Sequence, residues 1–156
     1  MCILVRVSRV RIPHSPQQAI KQTFFILYFC LLKKMSLYTM SLLYILAGIN
    51  HFIHPLFYKK IMPTNIPWHM PIIYGTGVLE ILFGILLIPL STRRMAAWGI
   101  IILLIAIFPA NINMMLTYLD EKNPDLWITI VRLPFQILFI WWAYTFTKQA
   151  SVKTNK

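Results

Sequence analysis

The sequence predicts an all-α protein, an integral membrane bundle of four helices, and two observations lead to this prediction. First, 58% of the 156 residues are hydrophobic, only 12% are charged, and the mean hydropathy is +0.67. That is too apolar for an ordinary soluble domain of this length. Second, several runs of roughly 18 or more mostly apolar residues lack the polar face that a soluble helix or strand presents.

Four membrane spans are predicted from these apolar runs. The predicted spans cover residues 37–53, 72–90, 95–118 and 127–146. A segment rich in Pro, Lys and aromatic residues separates the first two spans, and a tight turn at 91–94 separates the next two. Pro109 and Pro134 lie inside spans, where neighbouring helices or water can satisfy the carbonyl group that a proline frees. We therefore expect one four-helix domain over 35–147, followed by a polar cytoplasmic tail over 148–156.

The first 34 residues differ from the rest of the chain. They hold six of the fifteen basic residues and both cysteines. Reverse translation of the stretch "SRVRIPHSP" (8–16) gives a nucleotide sequence that resembles the T-arm of a transfer RNA gene. This favours a non-native upstream extension or a disordered head over 1–34, with Met35 as the natural start. The alternative is a signal peptide with the apolar region "TFFILYFCLL", which a Lys-Lys pair follows without a small-residue cleavage site.

The charges of the loops predict the orientation of the bundle. Cytoplasmic loops of membrane proteins carry an excess of Lys and Arg. With four spans, the amino terminus, the 91–94 turn and the tail share one side. That side carries seven basic residues and no acidic residue: Lys33, Lys34, Arg93, Arg94, Lys148, Lys153 and Lys156. All four acidic residues of the chain lie elsewhere, three of them in one loop of the opposite side. Both termini are therefore expected in the cytoplasm.

Polar residues of all four spans are predicted to meet in the outer half of the bilayer. At about 1.5 Å per residue, Glu80 lies roughly 12 Å and Arg132 roughly 9 Å below the outer ends of their helices. Spacing also places Glu80 on one face with two glycines, which allow another backbone to come close. The predicted ligand or proton pocket consists of His51, Glu80, Asn111, Asn113, Arg132 and Gln136. Of the two asparagines, which cannot share a face, one is expected to serve a loop or a backbone group that Pro109 opens.

Glu80 and Arg132 are the only ionisable side chains predicted to lie well inside the spans. An unpaired charge there costs about 2.5–3.5 kcal/mol on insertion scales. Mutual pairing is the least costly arrangement, and a protonated Glu80 is the alternative. Such a pair either fixes the register of the bundle or forms a site for a ligand or a proton. The residues leave both roles open.

Several other functions are not favoured by the sequence. The net charge is +11, but the basic residues lie at the termini and in short loops, so no nucleic-acid partner is predicted. His51 and His54 are more typical of helix ends at a membrane interface than of metal ligands, and no metal site is predicted. The core over 35–147 has no cysteine, which argues against disulfide exchange. No phosphate loop, zinc motif or serine elbow occurs, so no catalytic residue is predicted.

Four stretches of the core resemble the DoxX family of small four-helix membrane proteins. They are "AGINHFIHPLFY" (47–58), "GVLEILFGILLI" (77–88), "TRRMAAWGIIILLIAIFPANINM" (92–114) and "VRLPFQILFIWWAY" (131–144). The resemblance implies a multi-pass protein of the bacterial cytoplasmic membrane. It also implies a ligand-binding or accessory subunit linked to membrane redox or quinone metabolism, with a quinone as a candidate cofactor. A redox protein of the membrane is then the expected partner beside the lipid bilayer. The alternatives are an oxidoreductase subunit that moves protons to a quinone through Glu80 and Arg132, and a small transporter.

Overall fold

A computed structural model of the chain describes residues 16–62 and 67–148. These residues form five helices and no strand. The helices are α1 (Pro16–Ile53), α2 (Pro55–Ile61), α3 (His69–Leu86), α4 (Arg93–Asp120) and α5 (Leu126–Thr147). Four of them, all except α2, are long and apolar enough to cross a membrane. The predictions of an all-α fold and of four apolar helices are confirmed.

Two boundaries differ clearly from the sequence prediction, and one additional helix is present. Helix α1 begins at Pro16 rather than near residue 37, because no proline interrupts the chain again before Pro55. Residues 16–34 are therefore helical, and residues 1–15 lie outside the described part. Helix α3 ends at Leu86, ahead of Pro89, because a proline disfavours helical conformation in the residue before it. The segment expected to be a loop contains the short α2, which begins with a proline, as helices often do.

The long helices pack as two close pairs, α1 with α3 and α4 with α5, and α3 and α4 join the pairs. The α1–α3 pair is held by close approach of the two backbones. A Cβ atom on Gly48 would lie 2.6 Å from the Gly77 carbonyl oxygen, and one on Gly84 would lie 3.0 Å from that of Ser41. The Ser41 hydroxyl donates to the Gly84 carbonyl over 2.7 Å. Small residues thus bring α1 against the face of α3 that carries Glu80.

The end of the bundle at the α3–α4 connection, here called the turn end, has an apolar core. Its fully buried members include Met40, Leu87, Ile100 and Ala143, from three helices and the connection. Carbonyl groups at the end of α3 and just after it accept hydrogen bonds from nearby side chains: the Thr92 hydroxyl donates to Leu86, and the Arg93 side chain donates to Leu87 and Ile88. The turn end is therefore closed by packing and by side chains that cap its backbone carbonyls. The opposite end, here called the α2 end, contains the polar residues.

Candidate functional site

A buried histidine and a buried glutamate face each other between α1 and α3 at the α2 end. The Nε2 atom of His51 lies 3.5 Å from the Oε2 atom of Glu80. Both side chains are buried, with residue exposures of 9% and 7%. Among the described residues, Oε2 of Glu80 has no hydrogen-bond partner. The two atoms are slightly beyond ordinary hydrogen-bond distance, so a small shift of either side chain would join them.

The other ring nitrogen of His51 fixes the orientation of its ring. Nδ1 lies 3.1 Å from the carbonyl oxygen of Ile73, which can only accept a hydrogen bond. The Thr76 hydroxyl donates to the same carbonyl and lies 3.2 Å from Nδ1. A proton on Nδ1 satisfies this arrangement, and Nε2 then faces Glu80 with either a lone pair or a second proton. One proton can therefore reside on Nε2 or on the Glu80 carboxylate.

Helix α2 supplies an aromatic wall to the site. The Tyr58 ring stacks on the His51 ring, with centroids 3.8 Å apart and planes 27° apart. The amide of Asn50 donates to the Tyr58 hydroxyl oxygen over 2.8 Å, which leaves the hydroxyl proton free to be donated elsewhere. Burial raises the pKa of the Tyr58 hydroxyl, so Tyr58 keeps its proton at neutral pH. Tyr58 is thus a neutral hydrogen-bond donor beside the histidine.

The predicted ion pair between Glu80 and Arg132 does not form. No carboxylate of the described residues makes an ion pair with Arg132. Its guanidinium contacts the Met114 sulfur at 3.6 Å and lies 5.9 Å from the centre of the Phe57 ring. The physical reason is the pairing of the helices: α3 packs on α1, whereas α5 packs on α4. Glu80 therefore meets His51, and Arg132 remains a half-buried cation without an acidic partner on the other side of α2.

Asn111 and Gln136 form a second polar contact, between α4 and α5. The Asn111 amide donates to the Gln136 side-chain oxygen over 2.8 Å, and the Gln136 amide donates to the carbonyl of Leu104 over 2.6 Å. Pro109 removes the helical donor of the neighbouring carbonyl, at residue 105. The sequence analysis expected one asparagine to serve a loop or a backbone group that Pro109 opens, but Asn111 bonds to Gln136, and the carbonyl that Gln136 reaches is that of Leu104, one residue before the freed one. The backbone of Asn113 accepts from Thr117, and its side chain takes no part in the site.

Five of the six predicted residues therefore separate into three groups, and the Asn113 side chain belongs to none of them. His51 and Glu80 form the dyad, Asn111 and Gln136 form the α4–α5 contact, and Arg132 lies apart from both. Asn50, Tyr58 and Thr76 were missed by the sequence analysis; the short spacing between His51 and the aromatic residues after Pro55 was a signal for Tyr58. Within the described part of the chain, no three His, Cys, Asp or Glu residues are grouped so that they could hold a metal ion.

The fold and the site define a small helical protein with four candidate membrane spans and a buried polar dyad between two of them. The chain belongs to the family described as Domain of unknown function (DUF8561), whose sequence profile matches residues 40–147. All six predicted site residues lie within that range. Neither the curated proteins nor the solved structures include a match to this chain. The resemblance to DoxX proteins remains a prediction.

Proposed function

We propose that this protein is a multi-pass membrane protein that binds a small polar or quinone-like ligand at the α2 end and exchanges a proton with it. The observation that carries the proposal is the Glu80 Oε2 atom, which is buried, has no hydrogen-bond partner among the described residues and faces His51. A buried polar atom normally has a partner, so one without a partner marks a place where a ligand group or water fits. In a membrane helix an ionisable residue is by default a functional-site candidate.

The chemistry of the dyad suits a ligand with a carbonyl or hydroxyl head. His51 is held by Ile73 through Nδ1, so its Nε2 atom and the Glu80 carboxyl can share one proton and pass it to a third oxygen nearby. Tyr58, stacked on His51, offers a neutral donor beside the dyad, and Arg132 offers a positive charge next to Phe57. A quinone head has two carbonyl oxygens and a flat ring, which match the donors and the aromatic wall.

The setting of this function is proposed from the loop charges and from the resemblance to DoxX proteins. The basic side of the bundle would face the cytoplasm, with both termini there, so the dyad would lie toward the outer face of a bacterial cytoplasmic membrane. The protein would act as an accessory subunit to a redox protein of the same membrane. The Glu80–Arg132 proton pocket of the sequence prediction is replaced in this proposal by the His51–Glu80 dyad.

A second candidate function is an oxidoreductase subunit that supplies protons to a quinone. The shared proton between His51 and Glu80 favours it, because quinone reduction consumes protons. The electrons would have to come from a partner protein. The two candidates differ in one result: only the oxidoreductase subunit changes the rate of quinone reduction when a reduced partner is added.

Titration calorimetry tests the proposal. It measures the binding of a short-chain quinone to the detergent-purified protein in two buffers of different ionisation enthalpy. The expected result is a buffer-dependent heat, which reports a proton taken up or released on binding. Glu80→Gln keeps the shape of the side chain and removes its proton chemistry. We expect it to abolish the buffer dependence and to weaken binding about ten-fold, as loss of a hydrogen bond to a charged group does.

Glu121→Gln is the matched control, because Glu121 is an exposed acid in the loop between α4 and α5. It should bind and exchange protons like the natural chain. If Glu80→Gln bound the quinone with unchanged affinity and unchanged buffer dependence, the dyad would be a structural element that fixes the α1–α3 register. Mass spectrometry of co-purifying small molecules, done on the same preparations, would then identify any ligand of a different class.

A further inference from the structure

An open groove runs along α3 and α4 at the turn end, and neither residue of the dyad lines it. Its polar mouth is formed by Ser91 and Arg94, and its apolar length by Phe83, Trp98, Gly99 and Ile102. The ring of Phe83 packs directly on Gly99, where a Cβ atom would lie 2.6 Å from it. The Phe83 ring therefore occupies the space that a side chain at position 99 would fill, and it lines the groove together with Trp98. From Arg94 to Ile102 the groove extends about 12 Å along the helix axis.

Two adjacent arginines at the start of α4 have different surroundings. Arg93 donates to the carbonyls of Leu87 and Ile88 and thereby caps α3. The Arg94 side chain is exposed and contacts no partner among the described residues. No acidic residue lines the groove. Arg94 therefore places a positive charge, with hydrogen-bond donors that no described residue accepts, at the polar end of the apolar groove.

We propose that this groove binds one anionic phospholipid of the surrounding leaflet. The Arg94 guanidinium and the Ser91 hydroxyl would hold the phosphate, since arginine presents paired donors that match phosphate oxygens. An acyl chain would lie along Trp98, Gly99 and Ile102. A zwitterionic headgroup carries its own cation, which Arg93 and Arg94 would repel, so a net-negative headgroup is favoured. The inference shares the membrane setting of the proposed function and does not depend on the dyad.

Native mass spectrometry of the full chain in mild detergent, with added phosphatidylglycerol or phosphatidylcholine of equal chain length, tests this proposal. The natural chain should bind one phosphatidylglycerol molecule more tightly than phosphatidylcholine. Arg94→Gln should weaken phosphatidylglycerol binding about five-fold, the effect expected for one basic residue near an anionic lipid, and should leave phosphatidylcholine binding nearly unchanged. Lys148→Gln removes the same charge outside the groove and should keep the preference.

Three results would overturn the inference: equal binding of both lipids by the natural chain, unchanged binding by Arg94→Gln, or equal losses in both variants. The last would mean that total surface charge, and not the groove, attracts the lipid. Glu80→Gln should bind phosphatidylglycerol like the natural chain, so failure of quinone binding leaves this proposal standing. Retention of the protein in carbonate-washed membranes is measured before detergent is added, on membranes from the same cells. Loss of that retention would reject the membrane setting, and both proposals with it.

Discussion

The two ends of the bundle are built from the same helices in opposite ways. At the turn end, aliphatic side chains fill the space between helices, and Met40, Leu87 and Ile100 have no exposed surface. At the α2 end, glycines bring α1 and α3 so close that polar side chains occupy the junction, and one carboxylate oxygen there has no partner. The interior of the turn end is thus filled by its own side chains. The other end contains a polar group that a ligand, a proton or water can satisfy.

This difference suggests that the turn end stabilises the fold, whereas the α2 end binds the ligand. The mainly apolar core inside the turn end leaves no space for a ligand between the helices, because any void or added atom costs free energy. A buried carboxylate beside a histidine costs free energy until a proton or a ligand compensates it. We therefore expect substitutions at the turn end, and at the glycines, to change folding stability. Substitutions within the dyad should change ligand and proton binding more than stability.

The largest expected effect comes from filling the α1–α3 contact. In Gly48→Ala the new methyl group would lie 2.6 Å from the Gly77 carbonyl oxygen and 3.0 Å from the Ile81 backbone nitrogen. Backbone atoms cannot turn aside, so the helices must separate, at a cost of about 3 kcal/mol in the free energy of unfolding. Unfolding by sodium dodecyl sulfate in mixed micelles measures this cost.

Gly75→Ala is the matched control for that measurement. Gly75 lies on α3, close in sequence to Gly77, and a Cβ atom there would meet nothing within 4 Å. The substitution should stabilise the protein by about 0.5–1 kcal/mol, because alanine is the better helix former. Equal effects of the two substitutions would show that α1 and α3 do not approach as closely as described.

The second expected effect is loss of packing at the turn end. Ile100 is fully buried in the apolar core, whereas Ile105, on the same helix, is 58% exposed. Ile100→Ala should lower the free energy of unfolding by about 2 kcal/mol, since it opens a cavity that neighbours fill only in part. Ile105→Ala should change it by less than about 0.5 kcal/mol. Similar losses in both would mean that the turn end lacks a specific core.

Sequence alone predicts the faces of these helices well and their neighbours poorly. The spacing of Gly77, Glu80 and Gly84 places them on one face, and all three are buried. Spacing within one helix does not say which helix covers that face, so Glu80 was matched to the opposite charge of Arg132. The glycines at 48 and 77 were the better guide, because small residues mark where two helices meet. The position of α2 follows from tertiary packing that no local pattern specifies, and the short spacing after His51 was only a partial signal for Tyr58.

A third prediction concerns the α4–α5 contact near Pro109. Gln136→Leu would leave the Asn111 amide and the Leu104 carbonyl without their partner. Polar contacts between membrane helices contribute about 0.6 kcal/mol on average and up to about 1.7, so a loss of about 1 kcal/mol is expected in the same unfolding assay. Asn113→Leu, which removes an amide that takes no part in the contact, is the control. A larger loss in the control would assign the structural role to Asn113.

The last prediction compares two double-mutant cycles that share Glu80. His51 and Glu80 face each other at 3.5 Å, so the stability changes of His51→Gln and Glu80→Gln should fail to add, by at least about 0.5 kcal/mol. Glu80 and Arg132 lie on helices that pack in different pairs, and the changes of Glu80→Gln and Arg132→Gln should add within about 0.5 kcal/mol. Because α2 contacts His51 through Tyr58 and Arg132 through Phe57, the Arg132 cycle should be run in the Tyr58→Phe background as well. Strong coupling in the Arg132 cycle, with none in the His51 cycle, would support the predicted ion pair between Glu80 and Arg132. It would also remove the support for a proton shared between His51 and Glu80.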